Sequence, residues 1–266
     1  MSEVTTEHAR PGIRYGGPER LFGVRGLCWE GAEALGTMRM DGWRADAAGR
    51  GAEGVLGVLV DDVLGYAAVA DPPAGHWSVS TDITLELLDG WAEANTATAR
   101  ARIVEVNDGA STCVCRVTDE QGRLIAIASE RGRYVPVDEH ALAPDQGEPR
   151  PVQGEHDASG ILELVETGGT IVVPGTAALQ NRLGSLHGGV SLCAAQIAAR
   201  RALDRAGLES LSPTAVRIVY PKPARGSVEL HATLRHAGRS FAVIDVEGRS
   251  EDRVVVLAQI TAHPIR

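Results

Sequence analysis

The sequence predicts an α+β chain built as a tandem duplication, each copy a curved antiparallel sheet wrapped around one buried helix. Three observations carry that reading. Segments 55–70 and 188–206 are apolar on nearly every face and are longer than ordinary strands. Each is followed by four strand-like runs separated by turns of Asn, Asp and Gly. A stretch rich in Pro, Gly and charge at 138–160 cuts the chain near its middle. The expected organisation is a flexible tail 1–20, an N-terminal domain 21–137, a linker 138–160 and a C-terminal domain 161–266.

The elements follow in order. In the first half a short strand at 33–40 precedes the helix at 55–70. Strands at 77–88, 96–106, 111–118 and 124–135 come next, with turns at 107–109 and 119–122. In the second half, short strands at 161–165 and 170–173 precede the helix. Strands at 214–220, 227–235, 240–247 and 254–262 follow, with a turn at 236–238. Each half reads as a helix plus a four-stranded meander. Gly54, Gly57 and Gly65 in the first helix each cost about 1 kcal/mol relative to Ala. Close approach of the helix backbone to a neighbour or a ligand is a sufficient reason to keep them.

Composition bounds the function. The chain has 266 residues and a formal charge of −9, and Lys222 is its one lysine. That balance argues against a nucleic-acid partner or an anionic membrane surface. Cys28, Cys113, Cys115 and Cys193 show neither CxxC nor metal-ligand spacing. They read as buried thiols in a reducing compartment, with no metal site expected. The N-terminus carries no apolar signal segment, and no run is long enough to span a bilayer. A cytoplasmic location is expected. P-loop, dinucleotide and GxSxG signatures are absent.

The chemistry-bearing residues lie at the two helices. Asp61 and Asp62 sit inside the first apolar segment, where an unpaired carboxylate is expensive. A partner or a task is therefore expected for at least one; the bland alternative puts one in solvent and the other on a loop. At the start of the second helix stands Asn181-Arg182-Leu183-Gly184-Ser185-Leu186-His187-Gly188-Gly189. A glycine turn at a helix N-terminus offers backbone N–H groups and a positive dipole end to a carbonyl oxygen.

This motif resembles the helix start of hotdog acyl-CoA thioesterases of the hydroxybenzoyl-CoA and phenylacetate-pathway type. The resemblance implies two tandem hotdog domains. It also implies that Asn and the His-Gly-Gly turn hold a thioester carbonyl. An Asp nine residues after the His handles water, and a Ser or Thr at the next strand assists it. The family's sites form between two hotdog units. Here the position nine after His187 is Gln196, and the second hydroxyl position is about Pro213. In the first half, Leu59-Val60-Asp61-Asp62 resembles the acid-bearing segment, and Ser78 falls at the hydroxyl position. The first half's His position is Ala52, and its Asn position is about Asp46.

The losses are complementary. The expectation is one composite site: Asn181, His187 and Gly188 hold the carbonyl, while Asp61 acts as base or nucleophile and Ser78 assists. The second position should be dead. Gly189 allows close approach of the acyl group, and His187 either acts directly or packs to hold the turn. Arg182, Lys222 and Arg225 are candidates for the phosphates of coenzyme A, which enters only as part of the substrate; no cofactor is implied. The competing readings are a non-catalytic acyl-CoA or acyl-group binding protein and, with less support, a hotdog hydratase or dehydratase. A homodimer of double hotdogs is expected.

Overall fold

The computed structural model describes residues 10–43, 52–70, 72–107, 109–138, 142–150 and 157–264. The N-terminal half contains helix α1 (Gly17–Phe22), strands β1 (Arg25–Glu30) and β2 (Glu33–Arg39), and helix α2 (Leu56–Ala68). Strands β3 (His76–Leu87), β4 (Thr96–Asn107), β5 (Ala110–Thr118) and β6 (Leu124–Pro136) follow. The C-terminal half contains helix α3 (Ala158–Ile161), strands β7 (Val165–Thr167) and β8 (Thr170–Val173), and helix α4 (Gly188–Arg205). Strands β9 (Leu211–Val219), β10 (Val228–Ala237), β11 (Ala242–Ser250) and β12 (Arg253–Pro264) complete it.

All twelve strands form one sheet, in the order β1-β2-β4-β5-β6-β3-β9-β12-β11-β10-β8-β7. This corrects the four-stranded meander. The strand after each helix does not pair with its successor. It crosses to the far side of its half and pairs with the last strand, β3 with β6 and β9 with β12. β3 and β9 then pair with each other, antiparallel, and weld the halves. An apolar helix lies on each half-sheet: Leu59, Val63 and Leu64 of α2, and Val190, Leu192 and Ala199 of α4, are wholly buried. The architecture is that of two hotdog units side by side.

A pseudo-twofold axis relates the units, and the backbone shows where it passes. Ile83 of β3 pairs with Ile218 of β9. The same sequence offset takes Gly54 to Gly189, Val58 to Cys193, and Asp61 to Gln196. Contacts between the helices obey it. A Cβ on Gly54 would lie 2.4 Å from the Cα of Cys193, and one on Gly189 would lie 2.6 Å from the Cα of Val58. The backbones of α2 and α4 therefore touch, and these two glycines are what lets them. Of the glycines singled out in α2, Gly57 is in the same close contact, whereas Gly65 has open space around it.

Two other expectations change. Part of the expected tail is structured: α1 lies within 17–22, and Tyr15, Gly17, Pro18 and Glu19 are buried. A Cβ on Gly17 would meet the carbonyl oxygen of Ala178, so this N-terminal segment is seated on the C-terminal half. The described part of the expected linker holds it there, with Asp145 accepting from the Tyr15 N–H at 2.8 Å. The strand expected at 161–165 is instead the end of α3 and a turn, capped by Asp157 through the Ser159 and Gly160 N–H groups. Asp46, the weak Asn-equivalent of the first half, lies outside the described residues.

Candidate active site

The turn 181–187 is held by its own short side chains. The Asn181 carbonyl oxygen of the side chain accepts from the Leu183 N–H at 3.0 Å, the Ser185 N–H at 3.2 Å and the Ser185 hydroxyl at 3.2 Å. Asn181 thus shapes the loop, as an Asx turn does. The Leu186 N–H donates to Ala224 O, tying the turn to the loop after β9, and the His187 N–H donates to Leu179 O of the segment just before the turn. His187 has extended backbone and stands immediately before α4, whose first two residues are Gly188 and Gly189. Tyr220 donates its hydroxyl to Gly188 O at 2.8 Å. Burial pushes the Tyr220 phenol well above its ordinary range, so it stays a donor.

Asp61 reaches this turn from the other half. Its Oδ2 accepts from the Gly189 N–H at 2.7 Å and lies 3.0 Å from His187 Nδ1. A Cβ on Gly188 would stand 2.8 Å from the same oxygen, so only glycine leaves the carboxylate its place. Asp62 meets the other side of the imidazole, with Oδ1 3.2 Å from Nε2. Both acids are buried, at 8% and 7% exposure, which rules out the solvent-facing alternative for either. His187 is clasped between two carboxylates from α2. Burial alone would lower it; the charge of Asp61 and the hydrogen bond and charge of Asp62 outweigh burial and push it up to about 10. Asp62 is raised well above the carboxylate range by burial, then by Glu19, against the opposing pull of His187.

The hydroxyl on Asp61 is Ser80, whose Oγ donates to Asp61 Oδ1 at 3.1 Å. Ser78 does not make this contact; its buried Oγ has no hydrogen-bond partner. The two serines share a face of β3, and a register shift between Ser80 and Asp82 leaves both pointing inward ahead of Ile83 and Leu85. Beside them lies a residue that the motif search missed. Glu130 of β6 is 2% exposed and both its carboxyl oxygens lack partners. Burial raises it well above its ordinary range and the nearby Asp61 charge adds to that, which favours its neutral form. Its signal was readable: it falls in phase with the buried Ala128, Gly132 and Tyr134 of β6. A charged residue on an inward phase is a candidate for a task.

The pseudo-equivalent position has none of this. Gln196 stands for Asp61, Ala52 for His187 and Glu53 for Gly188 by the common sequence offset, and Val216 stands for Ser80 and Ala258 for Glu130 on the register of β3–β9, β3–β6 and β9–β12. The described residues hold one assembled constellation.

Arg182 lines a cleft of about 230 Å³ with Arg14, His76 and Trp77. Its guanidinium carbon is 5.8 Å from the Trp77 ring centroid, and burial together with the neighbouring Arg14 lowers its pKa. One of its terminal nitrogens has no partner. Lys222 and Arg225 are exposed on the loop whose Ala224 carbonyl supports the turn.

Residues 178–263 match a family model described as the acyl-CoA thioesterase N-terminal domain, and residues 5–131 match its counterpart, the acyl-CoA thioesterase C-terminal domain. The chain belongs to the hotdog-fold acyl-CoA thioesterase family. Its halves stand in the reverse order of the two domain models: the C-terminal-domain model matches the first half and the N-terminal-domain model the second. Solved structures of similar fold agree with the double unit. A tesB protein of Mycobacterium avium subspecies paratuberculosis is 11% identical with a TM-score of 0.62, over 94% of this chain and 98% of that one. A protein with a hot dog fold from Alicyclobacillus acidocaldarius is 11% identical with a TM-score of 0.59, over 95% and 99%. The 12:0-ACP thioesterase of Umbellularia californica is 11% identical with a TM-score of 0.56, over 88% and 95%. No curated relative matches in sequence. No described helix of this thioesterase-family chain is long and apolar enough to cross a membrane.

Proposed function

We propose that the protein hydrolyses an acyl-CoA thioester at one composite site per chain, between its two hotdog units. The observation that carries this is the contact of Asp61, from the first unit, with the Gly189 N–H of the second at 2.7 Å. The Asn181–Gly189 turn supports a site of the hydroxybenzoyl-CoA and phenylacetate-pathway type. The amides at the start of α4 hold the thioester oxygen, where the helix dipole and the unsatisfied first-turn N–H groups favour growing negative charge. For this the Asp61 carboxylate turns off the Gly189 N–H and onto a water, keeping its hydrogen bond from Ser80. The water oxygen attacks the carbonyl carbon while its proton passes to Asp61. Collapse of the tetrahedral intermediate breaks the C–S bond, and that proton leaves with the thiolate. Buried Glu130, whose neutral form is favoured by burial and by the Asp61 charge, offers a donor to the same water. His187, held by Asp62, supports the turn.

The cleft at Arg182 and Trp77 opens beside this turn and suits the phosphate-bearing part of coenzyme A, with Lys222 and Arg225 at the exposed rim. A cytoplasmic homodimer of such chains completes the reading.

The test is a panel of acyl-CoA esters with free thiol as readout. One thiol and one free acid per ester consumed are expected, with one binding equivalent of a non-hydrolysable thioether analogue per chain. Because Asp61 occupies the Gly189 N–H, the rival reading is a protein that binds the ester without cleaving it. Tight binding with no thiol released would establish that rival.

A further inference from the structure

We propose that Glu19, Asp62 and His187 form a binding site for one divalent transition-metal ion of the zinc class. The proposal does not rest on thioester hydrolysis. The three residues come from three separate segments: the N-terminal helix α1, the buried helix α2 of the first unit and the turn before α4 of the second. Each offers a ligand atom, and these atoms lie within 4.8 Å of one another. All three residues are more than nine-tenths buried.

Two independent features point to an ion. Asp62 Oδ2 is buried and has no hydrogen-bond partner, while its Oδ1 faces His187 Nε2 at 3.2 Å. Metal–ligand bonds of about 2.0–2.1 Å in a tetrahedral zinc site place neighbouring ligand atoms roughly 3.3 Å apart, so this pair is already spaced to share an ion. The second feature is the far side of the imidazole. Metal-ligating histidines donate their other ring N–H to a carboxylate, which fixes the tautomer and the ring. His187 Nδ1 lies 3.0 Å from Asp61 Oδ2. In the structure Nδ1 accepts from the Gly189 N–H at 3.1 Å; with Nε2 on the metal it would carry the proton and donate to Asp61 Oδ2 instead. The ion would take the place of the proton between Nε2 and Asp62. One imidazole and two carboxylates suit zinc better than magnesium or calcium, which prefer all-oxygen shells. A water fills the fourth position.

Glu19 explains the placement of α1. Its Oε2 accepts from the Gly16 N–H at 3.0 Å, which fixes the side chain toward the interior. A bound ion would cross-link α1 to both units.

The experiment uses the tag-free full chain, stripped of metal by chelator and dialysis. It is titrated with Zn²⁺ by calorimetry and with Co²⁺ by visible absorption. One ion per chain is expected, with intense visible bands of low-coordinate Co²⁺ and a rise in melting temperature on adding Zn²⁺. Glu19→Gln and Asp62→Asn keep side-chain volume, and each should weaken binding at least tenfold. Far-ultraviolet circular dichroism establishes that each variant is folded. Asp61→Ala, which removes the acceptor behind His187, should weaken binding 10–100-fold. Absence of a stoichiometric ion in the wild-type chain overturns the proposal. So does unchanged affinity in Glu19→Gln or in Asp62→Asn, which would place the ion at exposed histidines such as His231 or His263. The weak bands of six-coordinate Co²⁺ overturn the three-ligand site as well.

Discussion

Replacing Asp61 by Asn tests the composite site directly. The amide keeps the volume of the carboxyl, and its oxygen can still accept from the Gly189 N–H or from Ser80. What disappears is the charge and the capacity to take a proton from water. General-base catalysis contributes about 10²–10⁴ in rate, and each decade corresponds to about 1.36 kcal/mol, so Asp61→Asn should raise the barrier by roughly 3–5 kcal/mol. The fold should suffer less. The carboxylate faces His187 at 3.0 Å, and a hydrogen bond to a charged group contributes about 1.5–3 kcal/mol. That bound is an upper one, because the amide retains one of the acceptor contacts. The assay is kcat/KM on the best acyl-CoA of the panel, with urea unfolding of both proteins alongside. A fall of 10² or more in kcat, with stability reduced by no more than about 3 kcal/mol, is expected. Turnover within threefold of wild type would refute Asp61 as the group that activates water, and with it the reason for joining the two halves into one site.

Ser80→Ala should lower kcat by about tenfold, the loss of roughly one net hydrogen bond of 1–1.5 kcal/mol, and by clearly more than Ser78→Ala. The reverse order in steady-state rates would return the assisting hydroxyl to Ser78. In the metal-free chain the pH dependence of unfolding carries the signature of His187. Its folded-state value of about 10 exceeds the value of about 6.5 for the unfolded chain, so its contribution is complete below about pH 6.5 and is lost as pH rises toward 10. Melting curves should show stability declining over that window, and His187→Gln should flatten the decline; parallel curves would contradict the clasp. Gln196→Leu removes a buried side-chain nitrogen that has no partner, so it should leave turnover within twofold and stability equal or higher. A large loss of rate would mean that the second position is not dead.

Sequence pattern carried the fold because its signals are long. The segments 55–70, twelve of whose sixteen residues are apolar, and 188–206, eleven of whose nineteen are, leave little choice but a buried helix. The strand order was not legible in the same way, since alternation says which face a residue occupies and nothing about which strand it pairs with. Hence the meander was wrong while the strands were present. α1 was invisible for a related reason: six residues beginning Gly-Pro have no periodicity to read, and their burial comes from contacts with Ala178 and Asp145, far along the chain. In the site, the acid and the turn could be read as motifs. Ser80 could not be told from Ser78, because both fall on the inward face of β3 and only the place along the strand decides which meets Asp61. Glu130 lay outside the motifs altogether, and only its phase on β6 betrayed it.

The duplication explains why each half could lose a different part. In a symmetric pair of identical units every site carries both halves, and a mutation to the turn or to the acid damages both sites at once. In one chain the copies diverge independently, so a site survives as long as one turn and the opposite acid persist. The contacts at the pseudo-axis show what stayed under constraint after that. Gly54 and Gly189 occupy equivalent places, and both remain glycine because either Cβ would lie within 2.6 Å of the facing helix backbone. Packing at the axis accounts for both glycines, while the other equivalent places differ: Asp61 against Gln196, His187 against Ala52, Ser80 against Val216. With no carboxylate at position 196 there is no charge to clasp a histidine at position 52, and the buried acid of that side is Glu53, at the place of Gly188. The two losses at the second position remove each other's cost, which is why the dismantled side could settle into Ala and Gln while the other side retained three buried acids around one imidazole.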